Sequence, residues 1–311
     1  LYQDLGCMAT LTCAPYQRKL RPQLGDHVAW AESNAIVFAN SVLGARTDRY
    51  GDFIDLCAAL TGRVPYLGLH RPENRIATII VQAPDAAITG LERDIYFSCL
   101  GYVLGLRAKS DVPAILGLPA DATEDELKAL AACGASAGAL ALFHAVGITP
   151  EASTLSDATG GTEKQLRMIE ISAQDLRSAL DDLCPLETGE PIAAVCLGTP
   201  HFSIAEFEQL AELVENRIAA DAVEVYVSTS RDIAAQIERS PNLGVLAKFG
   251  VNIVVDTCTY LAPVVRRTQG AIVTNSGKWA HYGPGNLKRR AGLMTLERCV
   301  RSAQIGKVAP P

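Results

Sequence analysis

From residue 192 onward one pattern recurs: a short apolar run, a polar break, then a stretch with helical periodicity. The strand-like runs are IAAVCLG (192–198), VEVYVS (223–228), VNIVV (251–255) and AIVTN (271–275). Between them, Ser203 with Glu206 three residues later opens a helix to about Asn216, and RDIAAQIER (231–239) reads as a second. Such alternation predicts a parallel sheet with helices on both faces, a three-layer α/β/α arrangement. Ligands of such sheets gather beyond the carboxyl ends of the strands. Here those ends read Gly198-Thr199-Pro200-His201, Ser228-Thr229-Ser230-Arg231, Asp256-Thr257-Cys258 and Asn275-Ser276-Gly277-Lys278. Every one carries polar or metal-capable groups; the ordinary alternative for any single Ser or Thr is a helix N-cap or a turn.

The first half is less regular. Residues 1–20 read as loop, 29–46 as a buried helix ending near Gly44, 52–61 as a short helix and 76–83 as a strand. Thr123 and Glu126 form a capping-box pair, and 138–147 is strand-like. Residues 150–165, PEASTLSDATGGTEKQ, resemble a linker, which divides the chain into a first half, 1–150, and a second, more regular half, 151–311.

Hydrophobic residues make up 49% of the 311 and charged residues 20%, enough apolar material for a sizeable core. A net charge of −6 speaks against nucleic acid or an anionic membrane as partner. No apolar run reaches the roughly 20 residues of a membrane span. The opening LYQDLGCMAT does not read as a secretory leader, and its abrupt start suggests a truncated amino end. Nine scattered cysteines form no disulfide framework and fit a reducing, cytoplasmic setting. Cys57, Cys133, Cys184, Cys196 and Cys299 sit in apolar context and are expected to pack. Cys7, Cys13 and Cys258 lie beside turn-forming or polar residues and are the candidate metal ligands. No G-x-G-x-x-G follows a strand, which disfavours a dinucleotide site.

Particular segments carry a resemblance along the whole chain, in order: GC…TCAPY (6–16), GDHVAWAESNAIVFANSVLGARTDRYGDFIDLCAALTGRVP (25–65), GLHRPENR (68–75), ALFHAVGITPEA (141–152), LGTPHFSIAEF (197–207), STSRD (228–232), DTC (256–258) and TNSGKWAHYGPG (274–285). The sequence resembles the large subunits of the aconitase X family. The resemblance implies an aconitase-like α/β core and a hydro-lyase that removes water from a small hydroxy acid. Two activities occur in that family: dehydration of cis-3-hydroxy-L-proline to Δ1-pyrroline-2-carboxylate, and, in archaea, dehydration of mevalonate 5-phosphate. It also implies a small swivelling domain, fused or separate, that carries a serine serving as base. A non-catalytic metal-binding module of the same fold is the reading from a different class.

Within the resemblance, Cys13 and Cys258, with Cys7, are the expected ligands of an iron-sulfur cluster or a mononuclear iron. Cys7 and Cys13 share a loop in the first half, so such a centre would bridge the two halves. Family members carry cysteine or serine where this chain has Thr199. Loss of a thiolate there favours a 2Fe-2S centre or single iron over a four-iron cluster, and hydroxyproline over the phosphorylated substrate. His27, Ser276 and Lys278 are expected in catalysis. Glu32, Asn40, Ser41, Arg46, Thr47, Thr199, His201 and Ser230 are expected to bind substrate, with Arg46 or Lys278 meeting its carboxylate.

Overall fold

The computed structural model describes residues 3–8, 10–18, 21–51 and 53–311. The loop expected at 1–20 and the helix expected from residue 52 therefore fall partly outside the described residues. Two compact units emerge. Unit 1 comprises Leu1–Ala9, Pro15–Leu91 and Cys99–Arg177; unit 2 comprises Thr10–Ala14, Glu92–Ser98 and Ser178–Pro311.

Unit 1 is built on a parallel sheet of β1 (Ile79–Gln82), β2 (Pro113–Leu116), β3 (His144–Ala145) and β4 (Arg167–Glu170), in the order β3-β2-β1-β4. The expected helix over 29–46 is shorter and changes its winding. It runs as α-helix from Ser33 to Phe38, capped by the Glu32 carboxylate, which accepts from Ala35 N at 2.8 Å. It continues as a π-helical turn, Ala39–Leu43, and ends on Gly44 at φ 66°. Gly44 is thus the left-handed C-terminal glycine that its position suggested. The strand expected over 138–147 contracts to His144–Ala145: Gly138 ends the helix Glu124–Ala137, and the backbone of Leu140, Ala141 and Phe143 bonds to the side chains of Arg49, Asn40 and Ser41. Residues 150–165 are no linker. They hold the capped turn of helix Leu155–Thr159, and β4 beyond them pairs with β1 in register Ile79↔Arg167. The chain therefore stays in unit 1 to Arg177 rather than leaving at 150.

Unit 2 follows its sequence pattern closely. Strands β5 (Ile192–Leu197), β6 (Glu224–Thr229), β7 (Val251–Val255), β8 (Ala271–Thr274) and β9 (Ala291–Leu293) form one parallel sheet in the order β7-β6-β5-β8-β9. β9 lies beyond the strands read from sequence; its three small and apolar residues carry too little pattern. Alternation along the strands sorts side chains onto two faces. Val195, Leu197, Val225, Val227 and Val273 join Phe207, Leu210, Phe249 and Val300 in one core. Ala194, Cys196, Tyr226 and Ile272 join Trp279, Tyr260 and Cys258 in another. Helix-start signals hold here: Ser203 and Glu206 form a reciprocal capping box, and Ser230 caps Arg231–Ile237. No helix among the described residues is long and apolar enough to cross a membrane.

Asp94, in the short Glu92–Ser98 part of unit 2, accepts from Leu296 N at 3.1 Å and from Ile95 N at 2.9 Å. Burial pushes its carboxyl up to about 6. This value lies above the roughly 3.9 of an unfolded Asp, so the folded chain holds an extra proton between those values. Stability from this group is present at low pH and lost as pH rises through about 6. Asp94→Asn is expected to remove this pH dependence, on the order of 1–3 kcal/mol of the fall in stability between about pH 4 and pH 7 in the unaltered protein. Thermal melts across pH check this.

Candidate metal centre

β5 and β8 are sheet neighbours, but the chain leaves β5 toward β6 on one side and reaches β9 from β8 on the other. This is the topological switch point, where the loops after neighbouring strands part and leave a crevice. Gly198 ends β5 at φ 82°, and a Cβ there would meet Ser228 O at 2.1 Å, so this turn requires glycine. The following loop is tied to the end of β6: Phe202 N donates to Ser228 O at 3.0 Å, and Thr229 Oγ1 donates to Phe202 O at 2.8 Å. After β8, Ser276 Oγ accepts from Trp279 N at 3.0 Å and donates to Thr199 O. Arg231 Nε reaches Asp256 at 2.8 and 3.0 Å, joining the loops after β6 and β7. Trp279 Nε1 donates to Thr259 Oγ1 at 2.8 Å, joining those after β7 and β8.

The strip Thr10–Ala14 closes onto this edge. Thr12 Oγ1 lies 2.9 Å from His201 Nδ1, and His201 N donates to Cys13 Sγ at 3.3 Å. Cys13 packs against the apolar cluster that contains Cys258, Tyr260 and Trp279. One ligand atom each from Cys13, His201 and Cys258 lies within 4.8 Å of the others. His201 and Cys258 are buried and Cys13 is half-buried. Two sulfurs and an imidazole nitrogen, without a carboxylate, form a soft donor set suited to iron or zinc and unsuited to magnesium or calcium. Three protein donors leave a four-coordinate metal one position for another ligand. Thr199 Oγ1 and Ser228 Oγ are buried at the same strand ends without a hydrogen-bond partner among the described residues.

Several expectations are rearranged. Cys13 and Cys258 come together within unit 2, not across the two halves, because the Thr10–Ala14 strip belongs to that unit. Cys7 belongs to unit 1 and is not in the group; His201, expected on the substrate, supplies the third donor atom. Its position directly after β5 was the available signal. Cys196 packs inside β5, where burial pushes its thiol up to about 12. Cys57, expected to pack, is exposed. Ser276 and Ser230 are helix caps, and Lys278 is buried in the first turn of helix Gly277–Leu287.

The remaining candidates lie in unit 1, bonded mainly to other residues of that unit. Asn40 Oδ1 accepts from Thr47 N at 3.0 Å and from Arg75 Nη1 at 3.0 Å, and Ser41 Oγ accepts from Phe143 N at 2.9 Å. Arg46 lies 3.7 Å from Glu151, while its Nη1 is buried with no hydrogen-bond partner among the described residues. His27 bonds to His70.

Three family models match in order: the aconitase X first domain over 1–73, second domain over 77–181 and third domain over 192–305. The phosphomevalonate dehydratase large subunit of Methanocaldococcus jannaschii is 35% identical over 303 residues, which cover 96% of this chain and 73% of that one. The chain belongs to the aconitase X family. It is 42% identical over 305 residues to the cis-3-hydroxy-L-proline dehydratase of Hypocrea jecorina and 40% over 310 to that of Pseudomonas aeruginosa. Those matches cover 97% and 98% of this chain but 51% and 52% of the relatives, so the chain spans about half their length. The crystal structure of Thermococcus kodakaraensis aconitase X in its holo-form superimposes with a TM-score of 0.85 at 31% identity, covering 97% of this chain and 74% of that one. The aconitase-like α/β fold expected from sequence is therefore the observed one. Aconitase X third-domain residues 192–305 correspond to the sheet that carries Cys258 and His201.

Gly198→Ala is expected to destabilise the protein by more than about 2 kcal/mol, since both the left-handed backbone and the approach to Ser228 O forbid a Cβ. Chemical denaturation checks this.

Proposed function

We propose that this chain forms the catalytic core of a hydro-lyase that removes water from a small hydroxy acid. The substrate is cis-3-hydroxy-L-proline and the product Δ1-pyrroline-2-carboxylate. The convergence of Cys13, His201 and Cys258 at the carboxyl edge of the unit 2 sheet carries this reading. The two dehydratases named for that substrate, at 42% and 40% identity, support its choice.

Loss of hydroxide from carbon is slow without an acid on the departing oxygen. Cys13 and Cys258, with His201 as third donor, would hold an iron, which would supply Lewis acidity for that departure. A 2Fe-2S centre or a mononuclear iron suits this donor set, since Thr199 brings a hydroxyl where a further thiolate would be needed for a larger cluster. The chain's own groups do the rest. Thr12 holds the His201 ring through Nδ1, fixing its direction. The His201 amide points at Cys13 Sγ, a donor that favours the sulfur as thiolate. Lys278, buried beyond β8, meets the substrate carboxylate. Trp279, Tyr260 and Cys196 keep water from the inner side of the centre. A small swivelling domain, fused or separate, completes the enzyme, which works in the cytoplasm.

Anaerobically purified full-length enzyme is expected to contain iron and to absorb between roughly 300 and 450 nm, as thiolate-ligated iron does. Cys13→Ser and Cys258→Ser should each abolish that absorption and lower turnover at least about 100-fold. Retention of full colour and activity in both variants would refute the ligand set. Assays with both substrates decide specificity: turnover of mevalonate 5-phosphate, and none of cis-3-hydroxy-L-proline, would move the enzyme to the other activity of the family.

A further inference from the structure

The carboxyl edge of the unit 2 sheet is rich in hydroxyl groups, and most of them are spent on the fold. Thr229 Oγ1 donates to Phe202 O, Thr274 Oγ1 accepts from Ser276 N at 3.1 Å, and Thr259 Oγ1 accepts from Trp279 Nε1. Ser230 and Ser276 cap helices. Thr199 and Ser228 differ. Both are buried, at 2% and 0% exposure, and neither hydroxyl has a hydrogen-bond partner among the described residues. Burying a hydroxyl costs its hydration, and that cost is recovered only when a partner is supplied. Valine and alanine would fill the same two spaces without it.

Both hydroxyls stand by the three metal donors. Side chains alternate along β6. Val225 and Val227 enter the core that holds Phe207 and Leu210, while Tyr226 enters the one that holds Cys258 and Trp279. Ser228 therefore faces the Cys258 side. Its sheet neighbour on β7 is Val254, which packs with Cys13 against that same cluster. Thr199 lies two positions before His201, whose amide donates to Cys13 Sγ. The Thr199 carbonyl accepts from Ser276 Oγ, and the Ser228 carbonyl accepts from Phe202 N. Each backbone is thus tied down while its hydroxyl stays uncommitted.

We propose that Thr199 and Ser228 form the oxygen-recognising subsite of the metal centre, their hydroxyls donating to the hydroxyl oxygen that the substrate loses. This inference rests on the hydro-lyase reading and adds the groups that recognise the leaving oxygen. As the carbon–oxygen bond breaks, its electron pair goes to oxygen, where two fixed donors in a buried site stabilise the growing charge. The pair from the neighbouring carbon–hydrogen bond forms the double bond, and the proton released there ends in the water produced. Thr199 and Ser228 transfer no proton. They also set specificity, because a buried polar pair left unmatched disfavours an analogue without the hydroxyl.

The test compares full-length enzyme with its Ser228→Ala and Thr199→Val variants. In ligand-free melts neither variant is expected to lower the thermal midpoint, because no bond within the fold is lost. Iron content and the absorption between roughly 300 and 450 nm should stay unchanged. For the hydroxy acid turned over, kcat/KM should fall about 100-fold per hydroxyl removed. Affinity for L-proline, which keeps the ring and carboxylate but lacks the hydroxyl, should stay within about twofold by calorimetry. Midpoints lowered by several degrees in both variants would place the hydroxyls in bonds of the fold and overturn the proposal. So would kcat/KM unchanged in both, or L-proline affinity lost in step with it. Loss of iron in Thr199→Val would make that hydroxyl a metal ligand and overturn its assignment. If the enzyme turns over neither hydroxy acid, the hydro-lyase reading fails and equilibrium binding alone decides the subsite. Tighter binding of cis-3-hydroxy-L-proline than of L-proline, lost in Ser228→Ala, then sustains it; equal binding of the two overturns it.

Discussion

Two hydrogen bonds across almost two hundred residues hold unit 2's functional edge together: Thr12 to the His201 ring, and the His201 amide to Cys13 Sγ. They bring a strip from the beginning of the chain to strand ends from its last third. Without them Cys13 would be a cysteine in an irregular segment and Cys258 a residue in a turn. With them, two sulfurs and an imidazole share one small volume.

The sheet supplies the fixed frame for that meeting. Its order, β7-β6-β5-β8-β9, places β5 and β8 side by side while their connections run to opposite sides. The loops after them are free to part, and Ser276 on one loop is bonded to Thr199 on the other. Gly198 lets the β5 loop fold tightly over Ser228, and the Arg231–Asp256 ion pair joins the loops on the far side. Much of the polar inventory at these ends is structural in this sense: serines cap helices and hydroxyls tie loops. What is left for chemistry is the small set those ties hold in position.

Unit 1 has a different internal logic. Arg75 is nearly inaccessible and bonds Glu151, Asn40 and the Leu69 carbonyl, so the charge is compensated on every side. Such a network is costly to break, because removing one partner leaves the other charged and buried. Asn40, Ser41 and Thr47 belong to this scaffold through their bonds to Arg75, Phe143 and one another.

The sequence by itself determined the parallel character of unit 2, four of its strands, the caps at Ser203 and Thr123, and the family. These depend on local information: strand-length apolar runs, capping residues three positions apart, and segments matched in order. It also marked Cys7, Cys13 and Cys258 as the notable cysteines, since all three stand next to polar or turn-forming neighbours rather than inside apolar runs. Tertiary structure alone decided that His201 joins them, that Cys7 does not, and that Thr10–Ala14 packs with unit 2. It alone revealed that Glu32 caps a helix and that residues beyond 150 still belong to unit 1. The physical reason is common to all of these. Partner choice across a long loop is set by which hydrogen bonds and apolar surfaces are satisfied once the chain is compact, and a residue's own neighbours in sequence hold no record of that.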